Sequence, residues 1–561
     1  MNPTVRGLIL SDFTVDTLKA FLVNDPQAPA WNIDIAPYGQ VLPILNNPGD
    51  PLWAAHPDVT IIWTQITHAI PSFRKLLSFE AVDPAQLLKE CDTFIDAIIN
   101  ASTHSRFVLL ASWTLPPYLR GYGPGDLKNP QGWQRALLTL NNHLAGRLSE
   151  NPNIFILNTA TWTQSIGANA FNPKLWYLSK TPFDPGVFKL AAQDIKATML
   201  ACWGTSRKLL IVDLDDTLWG GTVGENGWQD LKIGGHDAIG EAYSDFQQGL
   251  KGLKNRGIIL GIVSKNESAT ALEAINKHPE MILKRTDFAG WRINWDDKAA
   301  NITALLSELN LGADAAVFID NDPAERDRVR RALPEILVPD WPDHCLLFPK
   351  ALSSLSCFDT VRISAEDRAR TGMYAAEQQR REGRAQAQDI GQWLRSLDIN
   401  VTAELLNAAN LPRAAQLLNK TNQMNLSTRR LSEQELLAWT ETPGRRLWTF
   451  RVKDNLGDSG LAGIISLEVD GKTARIIDLV LSCRVFGRLL ENAMMAVLIE
   501  QAVKQGAATV KAHYIPTEKN KPCLDFLRER SGFQAAAGHI FTWDTAKAYP
   551  RPDMIKVAYE G

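Results

Sequence analysis

Short apolar runs alternate with helix-length patterns over the first 350 residues, and this alternation constrains the fold more than any other feature of the sequence. The runs have the length of buried strands, whereas the patterns between them repeat with the period of a helix. Strands that alternate with helices form parallel sheets covered on both faces, so we predict a multidomain α/β protein. The predicted strands are 7–10, 59–63, 107–112, 154–158, 208–215, 258–264 and 315–320, and the clearest helices are 85–101, 133–149 and 238–255.

The pattern changes after a strongly charged stretch at 362–397, which we interpret as a solvated connecting helix. Beyond residue 400, helices and alternating strands indicate an α+β unit. Its predicted helices are 403–418, 432–439, 489–505 and 521–530, and its predicted strands are 446–453, 461–469, 473–482 and 508–514. Four parts follow from these changes: an α/β domain (1–205), a second α/β domain (206–350), a helical connector (351–399) and an α+β domain (400–561).

Charge and composition exclude several classes of function. The 59 lysines and arginines nearly balance the 62 aspartates and glutamates, and a net charge of −3 gives no overall attraction to nucleic acid or to anionic membranes. No run of about 18 apolar residues exists, the first residues do not resemble a signal peptide, and the six cysteines include no CxxC pair. We expect a cytoplasmic protein that binds neither nucleic acid nor membrane.

Two carboxylates stand at the end of the apolar run that begins the second domain. Asp213 and Asp215 are spaced i, i+2, which places both side chains on one side of a strand. Ligands of open α/β sheets bind at the carboxyl ends of the strands. Two carboxylates this close repel each other unless a proton or a cation relieves them, and Mg²⁺ favours oxygen ligands. The sequence therefore predicts a Mg²⁺ site at this edge.

Later elements supply the other groups that phosphoryl transfer requires. Ser264 ends one apolar strand, Lys298 begins a helix, and Asp320 ends a further strand. Asn321 and Asp322 follow it. A carboxylate nucleophile, a hydroxyl, an ammonium and a metal-binding carboxylate are the parts used to transfer a phosphoryl group. Any one of them alone is commonly a cap or a surface charge, but four in order indicate a site.

In order and spacing these motifs resemble those of the haloacid dehalogenase (HAD) phosphotransferases. The resemblance implies that Asp213 is the nucleophile, which forms an aspartyl-phosphate, and that Asp215 is the general acid and base. It also implies that Ser264 and Lys298 stabilise the phosphoryl oxygens. The metal ligands implied are Asp213, the carbonyl of Asp215, and Asp320.

One motif departs from the family pattern. Relatives usually have Asp-Asp-Asn after the fourth strand, whereas this chain has Asp320-Asn321-Asp322, which leaves Asp320 and Asp322 as alternatives for the last metal ligand. The stretch between Thr217 and Ser264 holds only a glycine-rich flap and one helix, so a folded cap domain has no room. An uncapped site is open to water unless another domain or a partner covers it, which favours a large substrate or a substrate handed over within the protein.

The surrounding segments resemble a narrower branch of that superfamily, the FkbH-like proteins of polyketide pathways. The resemblance implies that a glyceryl unit from 1,3-bisphosphoglycerate is held on an enzyme thiol, loses a phosphate and passes to an acyl carrier protein. It implies Mg²⁺ and the phosphopantetheine arm of the partner carrier protein as cofactors. The segments that carry it are VDLDDTLWGGTVGE (212–225), IVSKNE (262–267), FIDNDPAER (318–326), NKTNQMNLSTRR (419–430) and LSCRVFGRLLE (481–491).

Cys483 is our candidate for this thiol. It ends a strand pattern beside Arg484 and just before a helix, and such surroundings lower the pKa of a thiol. The alternative is an inert buried cysteine. His513, on the next predicted strand, is a candidate base if that strand lies beside the first, although a structural histidine is an equally good interpretation. Cys523 also lies near a helix start, but nothing else supports it.

The last domain resembles the GNAT acyltransferases. Arg484, Gly487 and Arg488 stand where that family binds pyrophosphate through backbone amides at a helix start. Leu489 replaces a second glycine of the loop, so we expect a phosphopantetheine arm rather than coenzyme A at this place.

The first domain resembles the SGNH hydrolases, because Ser11 follows the first strand, where their nucleophile lies. Phe188 stands where their catalytic histidine is expected, and a serine without a base is not activated. We therefore predict a docking or covering domain rather than an active hydrolase.

The predicted function is a Mg²⁺-dependent, bifunctional phosphatase and acyltransferase that loads a three-carbon unit onto an acyl carrier protein. The alternative is a simple HAD phosphatase that acts on a sugar or metabolite phosphate. A third interpretation is a scaffold with an inactive site, against which the intact Asp213 and Asp215 argue.

Overall fold

The computed structural model of the protein describes residues 4–25, 29–361, 363, 372–374, 376, 380, 383–384, 387, 389–482 and 485–560. The chain divides into two compact units, residues 1–200 with 432–434, and residues 201–431 with 435–561. The second unit contains both the predicted second domain and the predicted C-terminal domain. The finer domain limits stay a prediction.

The first unit is built on a wholly parallel sheet with the strand order β2-β1-β3-β4-β5. Its strands are β1 (Val5–Ser11), β2 (Trp31–Ile35), β3 (Val59–Trp63), β4 (Phe107–Ala111) and β5 (Ile154–Leu157). Helices cover it, and residues of β1 and of the helix Pro84–Ala101 belong to one apolar cluster. The helices are α1 (Asp16–Val23), α2 (Val41–Leu45), α3 (Ile66–Ala69), α4 (Pro71–Leu77), α5 (Pro84–Ala101), α6 (Trp133–Leu148), α7 (Thr159–Ile166), α8 (Pro173–Ser179) and α9 (Pro185–Cys202).

A second wholly parallel sheet follows, with the order β8-β7-β6-β9. Its strands are β6 (Leu209–Val212), β7 (Ile259–Ser264), β8 (Phe288–Ile293) and β9 (Ala316–Ile319). The helices of this region are α10 (Val223–Asn226), α11 (Ala238–Asn255), α12 (Ser268–Lys277), α13 (Lys298–Leu309), α14 (Pro323–Ala332) and α15 (Phe348–Ser353).

The packing of strand β6 explains why its sequence is continuously apolar. Leu210 and Val212 pack in a cluster with residues of α11, whereas Leu209 and Ile211 pack with residues of α13 on the opposite face. Both faces are buried, so no position alternates with a polar residue. The prediction of an α/β chain with parallel sheets is confirmed.

A mixed sheet forms the C-terminal region, with the order β16-β17-β15-β14-β13-β12-β10-β18, and β11 pairs with β14 beside this path. Its strands are β10 (Ile399–Leu405), β11 (Met424–Asn425), β12 (Arg445–Asp454), β13 (Gly457–Asp470), β14 (Thr473–Leu481), β15 (Thr509–His513), β16 (Gln534–Ala536), β17 (Ile540–Asp544) and β18 (Ile555–Glu560). The helices are α16 (Ile390–Ser396), α17 (Leu411–Lys420), α18 (Glu433–Glu441), α19 (Leu490–Lys504) and α20 (Lys521–Asp525).

The predicted helix at 403–418 is wrong in its first half, because residues up to Leu405 belong to strand β10. Ile399, Val401 and Ala403 alternate with more exposed residues, and the first buries its side chain completely. Most of the predicted connecting helix at 362–397 lies outside the described residues, and α16 forms its described end. Within the described residues, no helix has the length and apolarity needed to cross a bilayer.

Candidate functional site

Lys298 lies between two buried carboxylates at the carboxyl edge of the second parallel sheet. Its Nζ is 2.6 Å from Oδ2 of Asp320 and 3.0 Å from Oδ1 of Asp213. The three residues are 4%, 0% and 5% exposed, respectively. Asp213 directly follows β6, Asp320 directly follows β9, and Lys298 is the first residue of α13. One ammonium therefore faces two carboxylates, and the buried group carries a net negative charge when all three are ionised.

The titration of these groups reflects their burial and their mutual charges. Burial raises the pKa of Asp213, and Lys298 opposes this shift. Burial and the neighbouring charge of Asp213 together raise the pKa of Asp320 to about 6. Burial lowers the pKa of Lys298, but the two carboxylates outweigh it and hold the pKa above its usual value. Lys298 thus stays cationic, and any further positive charge nearby would stabilise the ionised forms of the two carboxylates.

Asp215 is held by hydrogen bonds to both of its carboxylate oxygens. The indole Nε1 of Trp219 and the backbone N of Val223 donate to Oδ1 at 2.9 and 3.1 Å. The Nδ2 of Asn266 donates to Oδ2 at 2.8 Å. Burial raises the pKa of Asp215, and these three donors oppose the shift. A carboxyl group with a raised pKa and a fixed orientation is suited to proton transfer.

The sequence analysis did not identify Trp219 or Asn266 as partners of Asp215. Both lie in segments that it did quote: Trp219 in the segment 212–225 and Asn266 in the segment 262–267. Their positions next to the motifs were the available signal, but the hydrogen bonds depend on how the flap folds back.

Ser264 and Thr217 hold the neighbouring strand ends together. Ser264 is the buried last residue of β7, and its side chain hydrogen bonds to Asp213. Thr217 Oγ1 donates to Oδ1 of Asn321 and accepts from the backbone N of Asn321, both at 3.0 Å. The structure therefore brings together Asp213, Ser264, Lys298 and Asp320, as the sequence analysis predicts.

Asp320 and Asp322 occupy different places. Asp322 is exposed, and its Oδ1 accepts from the backbone N of Ala324 at 2.8 Å, so it caps helix α14. Its own backbone N donates to Oδ1 of Asp320 at 2.9 Å. Asp320 is thus the carboxylate beside Lys298, and Asp322 has a structural role.

We expect the same substitution at these two positions to have opposite outcomes. Asp320→Asn should lower phosphate release by at least about 10²-fold, because charge stabilisation by a metal is worth several kcal/mol. Asp322→Asn should leave it within about threefold, since asparagine caps a helix as well as aspartate does. The measurement is phosphate release with Mg²⁺ for both variants. A loss confined to Asp322→Asn would transfer the metal-ligand role to Asp322.

The donor set fits Mg²⁺. This ion is usually held by one or two carboxylates together with substrate phosphate and water, and Asp213 and Asp320 supply two. Oδ1 of Asp213 is buried and, among the described residues, forms no hydrogen bond of good geometry despite its ion pair with Lys298. In the described part of the chain, no group of three or more His, Cys, Asp or Glu side chains is arranged to hold a metal ion. Asp215 could bind the ion only through its backbone carbonyl oxygen, because both of its carboxylate oxygens already accept hydrogen bonds.

The candidate thiol Cys483 and its neighbour Arg484 lie outside the described residues, so their roles stay predictions. Gly487 and Leu489, which belong to the predicted pyrophosphate loop, both adopt positive φ, at 76° and 62°. A left-handed backbone at a leucine costs about 1–2 kcal/mol relative to glycine. Leu489 therefore adopts a backbone conformation that glycine would adopt at lower cost.

The side chain of Arg488 lies in the interior of the C-terminal region. It is 1% exposed, and its Nη1 lies 3.0 Å from Oδ2 of Asp454, which Arg380 also binds through two hydrogen bonds. A guanidinium buried in this ion pair has no surface left for a phosphate. The side chain of Arg488 therefore serves the core of the C-terminal region, and whether the backbone of this loop binds pyrophosphate stays a prediction.

Strands β14 and β15 are parallel neighbours that separate. They pair from Thr473 with Thr509 to Ile476 with Ala512, and His513 is the exposed residue that follows. Whether His513 is the base for Cys483 stays a prediction.

Beyond Ile476 and Ala512, where this pairing ends, the segment 424–426 lies between β14 and the residues that follow β15. Strand β11 pairs with the end of β14. Leu426 donates from its N to the O of Leu479 and accepts at its O from the N of Ile515, both at 3.1 Å. Asn520 Nδ2 donates to the O of Asn425 at 3.0 Å. The segment 424–426 is therefore bound on both sides.

In the first unit, Ser11 is 3% exposed and its Oγ accepts from the backbone N of Phe13 at 3.2 Å. Phe188 is fully buried, with its ring centroid 5.5 Å from that of Trp63 and 6.0 Å from that of Phe183. The place expected for a catalytic histidine is thus part of an aromatic core.

No family model and no curated protein matches the chain. Among solved structures, the chain is similar to the N-terminal part of the protein BF1531 from Bacteroides fragilis, which contains a phosphatase domain complexed with Mg. The two chains are 28% identical with a TM-score of 0.57, over 64% of this chain and 95% of that one. This chain thus shares the fold of a protein with a phosphatase domain.

Acetyltransferases match about a quarter of the chain. They include the ribosomal-protein-S18-alanine N-acetyltransferase from Escherichia coli, with 16% identity and a TM-score of 0.19 over 26% of this chain and 94% of that one. A spermidine N-acetyltransferase from Vibrio cholerae has 14% identity and a TM-score of 0.21 over 26% of this chain and 94% of that one. With such low scores, the GNAT-like character of the C-terminal region stays a prediction.

Proposed function

We propose that the site around Asp213 hydrolyses phosphate monoesters with the help of Mg²⁺. The observation that carries this proposal is the buried group of Asp213, Lys298 and Asp320 at a sheet edge, with Asp215 oriented beside it. The similarity to a phosphatase domain that was crystallised with Mg supports it. Mg²⁺, when bound, neutralises charge on the phosphoryl oxygens and lowers the barrier to attack by an anion.

The residues of the chain divide the reaction between them. An oxygen of Asp213 attacks phosphorus, the bond from phosphorus to the leaving oxygen breaks, and Asp215 gives that oxygen a proton. Asp215 then takes a proton from water, which attacks the aspartyl-phosphate and releases inorganic phosphate. Ser264 and Lys298 bind the phosphoryl oxygens during both steps.

We further propose that this phosphatase acts on a three-carbon unit that the same chain transfers. The thiolate of Cys483 displaces the 1-phosphate of 1,3-bisphosphoglycerate and forms a phosphoglyceryl thioester, which loses its 3-phosphate at Asp213. The phosphopantetheine thiol of an acyl carrier protein then takes the glyceryl group and frees the thiol of Cys483. The FkbH-like segments support this proposal, and so does the place of Cys483 in the sequence, two residues after the last residue of β14. We infer a cytoplasmic setting without nucleic acid or membrane partners.

A simple phosphatase that acts on a sugar or metabolite phosphate remains the alternative, because the described site requires only a phosphate monoester. The two functions differ in the covalent acyl group, which only the transferase forms. Intact-protein mass spectrometry after incubation with 1,3-bisphosphoglycerate separates them.

Chelation tests the first proposal directly. We expect EDTA to abolish phosphate release from a simple phosphomonoester and excess Mg²⁺ to restore it, because two buried carboxylates beside a phosphate require a counter-ion. The measurement is inorganic phosphate against time in three arms: untreated, chelated, and chelated then reloaded. A chelated enzyme that works at the untreated rate would contradict the proposal.

A further inference from the structure

A small cavity lies at the edge of the second parallel sheet that is opposite to the group around Asp213. Lys208 and Ile258 line it, and they directly precede β6 and β7, so this edge holds the amino ends of the strands. Asp213 follows the other end of β6, about 16 Å from Lys208 along a strand that rises 3.3 Å per residue. The cavity is therefore separate from the site described above.

The charged residues that line this cavity are mostly basic. They are Arg207, Lys208, Arg256 and Lys420, and Asp359 is the one carboxylate among the described residues of the lining. Their net charge is +3 when all of them are ionised. They come from the chain before β6, the residue after α11, the segment after α15 and the end of α17. Such a concentration of one sign of charge attracts ions of the opposite sign.

The two arginines use only part of their hydrogen-bonding capacity within the protein. Nη1 of Arg207 donates to the backbone O of Asp314 and, at 2.9 Å, to that of Glu335. Nη2 of Arg256 donates to the backbone O of Phe358 at 3.1 Å. The other guanidinium nitrogens of these two residues donate to no acceptor within the part of the chain that the structure describes. Because the acceptors are carbonyl groups, they leave both positive charges without a counter-ion.

The titration of Arg207 shows the same lack of negative charge. This residue is half-buried, and burial lowers the pKa of its guanidinium. Asp314, Cys357 and Glu335 oppose the shift but do not outweigh it. The group stays cationic, because a guanidinium loses its proton only far above neutral pH. An anion beside it would therefore stabilise the charged form.

Hydrogen bonds fix the walls of the cavity to one another. Nζ of Lys208 donates to the backbone O of Lys420 at 3.0 Å, and Oγ of Ser206 donates to the backbone O of Asp359 at 2.6 Å. The chain before β6 is thus held to the end of α17 and to the segment after α15. The cations meet in the folded chain without any ligand, so binding does not have to assemble them.

The excess charge and the size of the cavity limit the chemistry of a ligand. The cavity is small and partly open to solvent, so it suits a compact anion rather than a large organic molecule. A carboxylate would neutralise only one of the excess positive charges. A phosphate group carries about −1.5 to −2 charges near pH 7 and offers three strong acceptor oxygens. The planar fork of an arginine matches two such oxygens at once.

We propose that this cavity binds a phosphate group, either inorganic phosphate or the terminal phosphate of a larger molecule. Arg207 and Arg256 donate to its oxygens, while Lys208 and Lys420 add positive charge. The function proposed above uses none of these residues, and the proposal does not depend on it.

The test is isothermal titration calorimetry of the full chain with sodium phosphate, at low salt and in the presence of EDTA. Without a metal, the carboxylates Asp213 and Asp320 disfavour an anion at the other edge of the sheet. We expect about one phosphate to bind per chain, with an affinity that falls as ionic strength rises. Acetate, which carries a single charge, should bind at least about tenfold more weakly.

A second titration separates the two sources of the phosphate group. Phenylphosphonate has the charge and oxygens of a phosphate monoester but cannot be hydrolysed. An affinity equal to that of inorganic phosphate assigns the site to the terminal phosphate of a larger molecule. Binding of inorganic phosphate alone assigns it to the free ion.

Substitution of Arg256 tests the assignment of the binding residues. We expect Arg256→Gln to weaken phosphate binding by at least about tenfold, because a hydrogen bond between charged groups is lost. Arg256→Lys, which keeps the charge without the planar fork, should lie between this variant and the wild type. The matched control is Arg331→Gln, which removes the same charge from an arginine of the same unit whose side chain is 78% exposed and pairs with Asp327. Its affinity should stay within about twofold of wild type.

Two further variants keep the test decisive. Arg207→Gln should also weaken binding by at least about tenfold, and its thermal midpoint reports whether the fold survives. If it does not, the exposed Arg256 decides. Ser264→Ala alters the other edge of the sheet and should bind phosphate as the wild type does.

The proposal is overturned if phosphate does not bind, or if Arg256→Gln binds it as tightly as the wild type. It is also overturned if Arg331→Gln weakens binding as much as Arg256→Gln, or if Ser264→Ala alone abolishes it. Because the titration contains neither Mg²⁺ nor a substrate, its result stands whichever reaction occurs at Asp213.

Discussion

Asp213→Asn is expected to lower phosphate release by at least about 10³-fold while leaving the free energy of unfolding nearly unchanged. The substitution removes the nucleophile and with it the covalent route. It preserves the shape of the side chain, and Lys298 keeps its 2.6 Å partner Asp320. Because burial already disfavours the ionised form of Asp213, its replacement by a neutral amide does not destabilise the fold. Phosphate release with Mg²⁺ and urea denaturation measure the two effects.

Asp216→Asn is the matched control for this experiment. Asp216 is the exposed neighbour of Asp215, its φ of 51° is one that asparagine tolerates, and its Oδ1 only accepts from the backbone N of Gly221. We expect phosphate release within about threefold of wild type. Equal rates for Asp213→Asn and wild type would exclude Asp213 as the nucleophile.

Cys483→Ala is expected to abolish acyl capture and carrier loading while hydrolysis of a simple phosphomonoester stays within about threefold. An acyl phosphate is already activated, so the step requires a strong nucleophile, and a thiolate whose neighbour in the sequence is Arg484 would be one. Mass spectrometry of the wild type should show a glyceryl or phosphoglyceryl adduct on the peptide that contains Cys483. Hydroxylamine should remove it.

Cys523→Ala provides the control. Cys523 is fully buried, and burial raises its pKa to about 12, so it supplies almost no thiolate near neutral pH. The adduct should survive this substitution. An adduct on another cysteine, or loading at the wild-type rate by Cys483→Ala, would favour the simple phosphatase instead.

The phosphatase-like site could be predicted from the sequence because its chemistry lies at strand ends. Asp213, Ser264 and Asp320 each end or directly follow an apolar run, and parallel strands end at one edge. The partners of Asp215 could not be predicted in this way. Their hydrogen bonds depend on the fold of the flap, which has no periodic pattern.

Strand β10 shows how local preference misled the interpretation. The residues AELLNAAN after Thr402 have high helix propensity, yet pairing with β12 and β18 places the first of them in a strand. Tertiary pairing overrides an intrinsic preference of a few tenths of a kcal/mol per residue.

The contact between Asp12 and His68 in the first unit, at 3.1 Å, was missed for a different reason. The sequence analysis singled out neither residue, because Asp12 follows the first strand and His68 belongs to the segment after another strand. Only the parallel register of β1 and β3, in which Ser11 lies opposite Trp63, brings the two segments together.

The segment 424–426 has a consequence for any extended ligand that pairs with the end of β14. Such a ligand competes with the hydrogen bonds that Leu426 forms to Leu479 and Ile515, so only the fraction of molecules in which this segment has moved away can bind it. Every 1.4 kcal/mol that favours the closed segment weakens the apparent affinity about tenfold. The same equilibrium would let the chain discriminate between ligands. A carrier protein that also binds the displaced segment recovers this free energy, whereas a phosphopantetheine arm without its carrier protein does not.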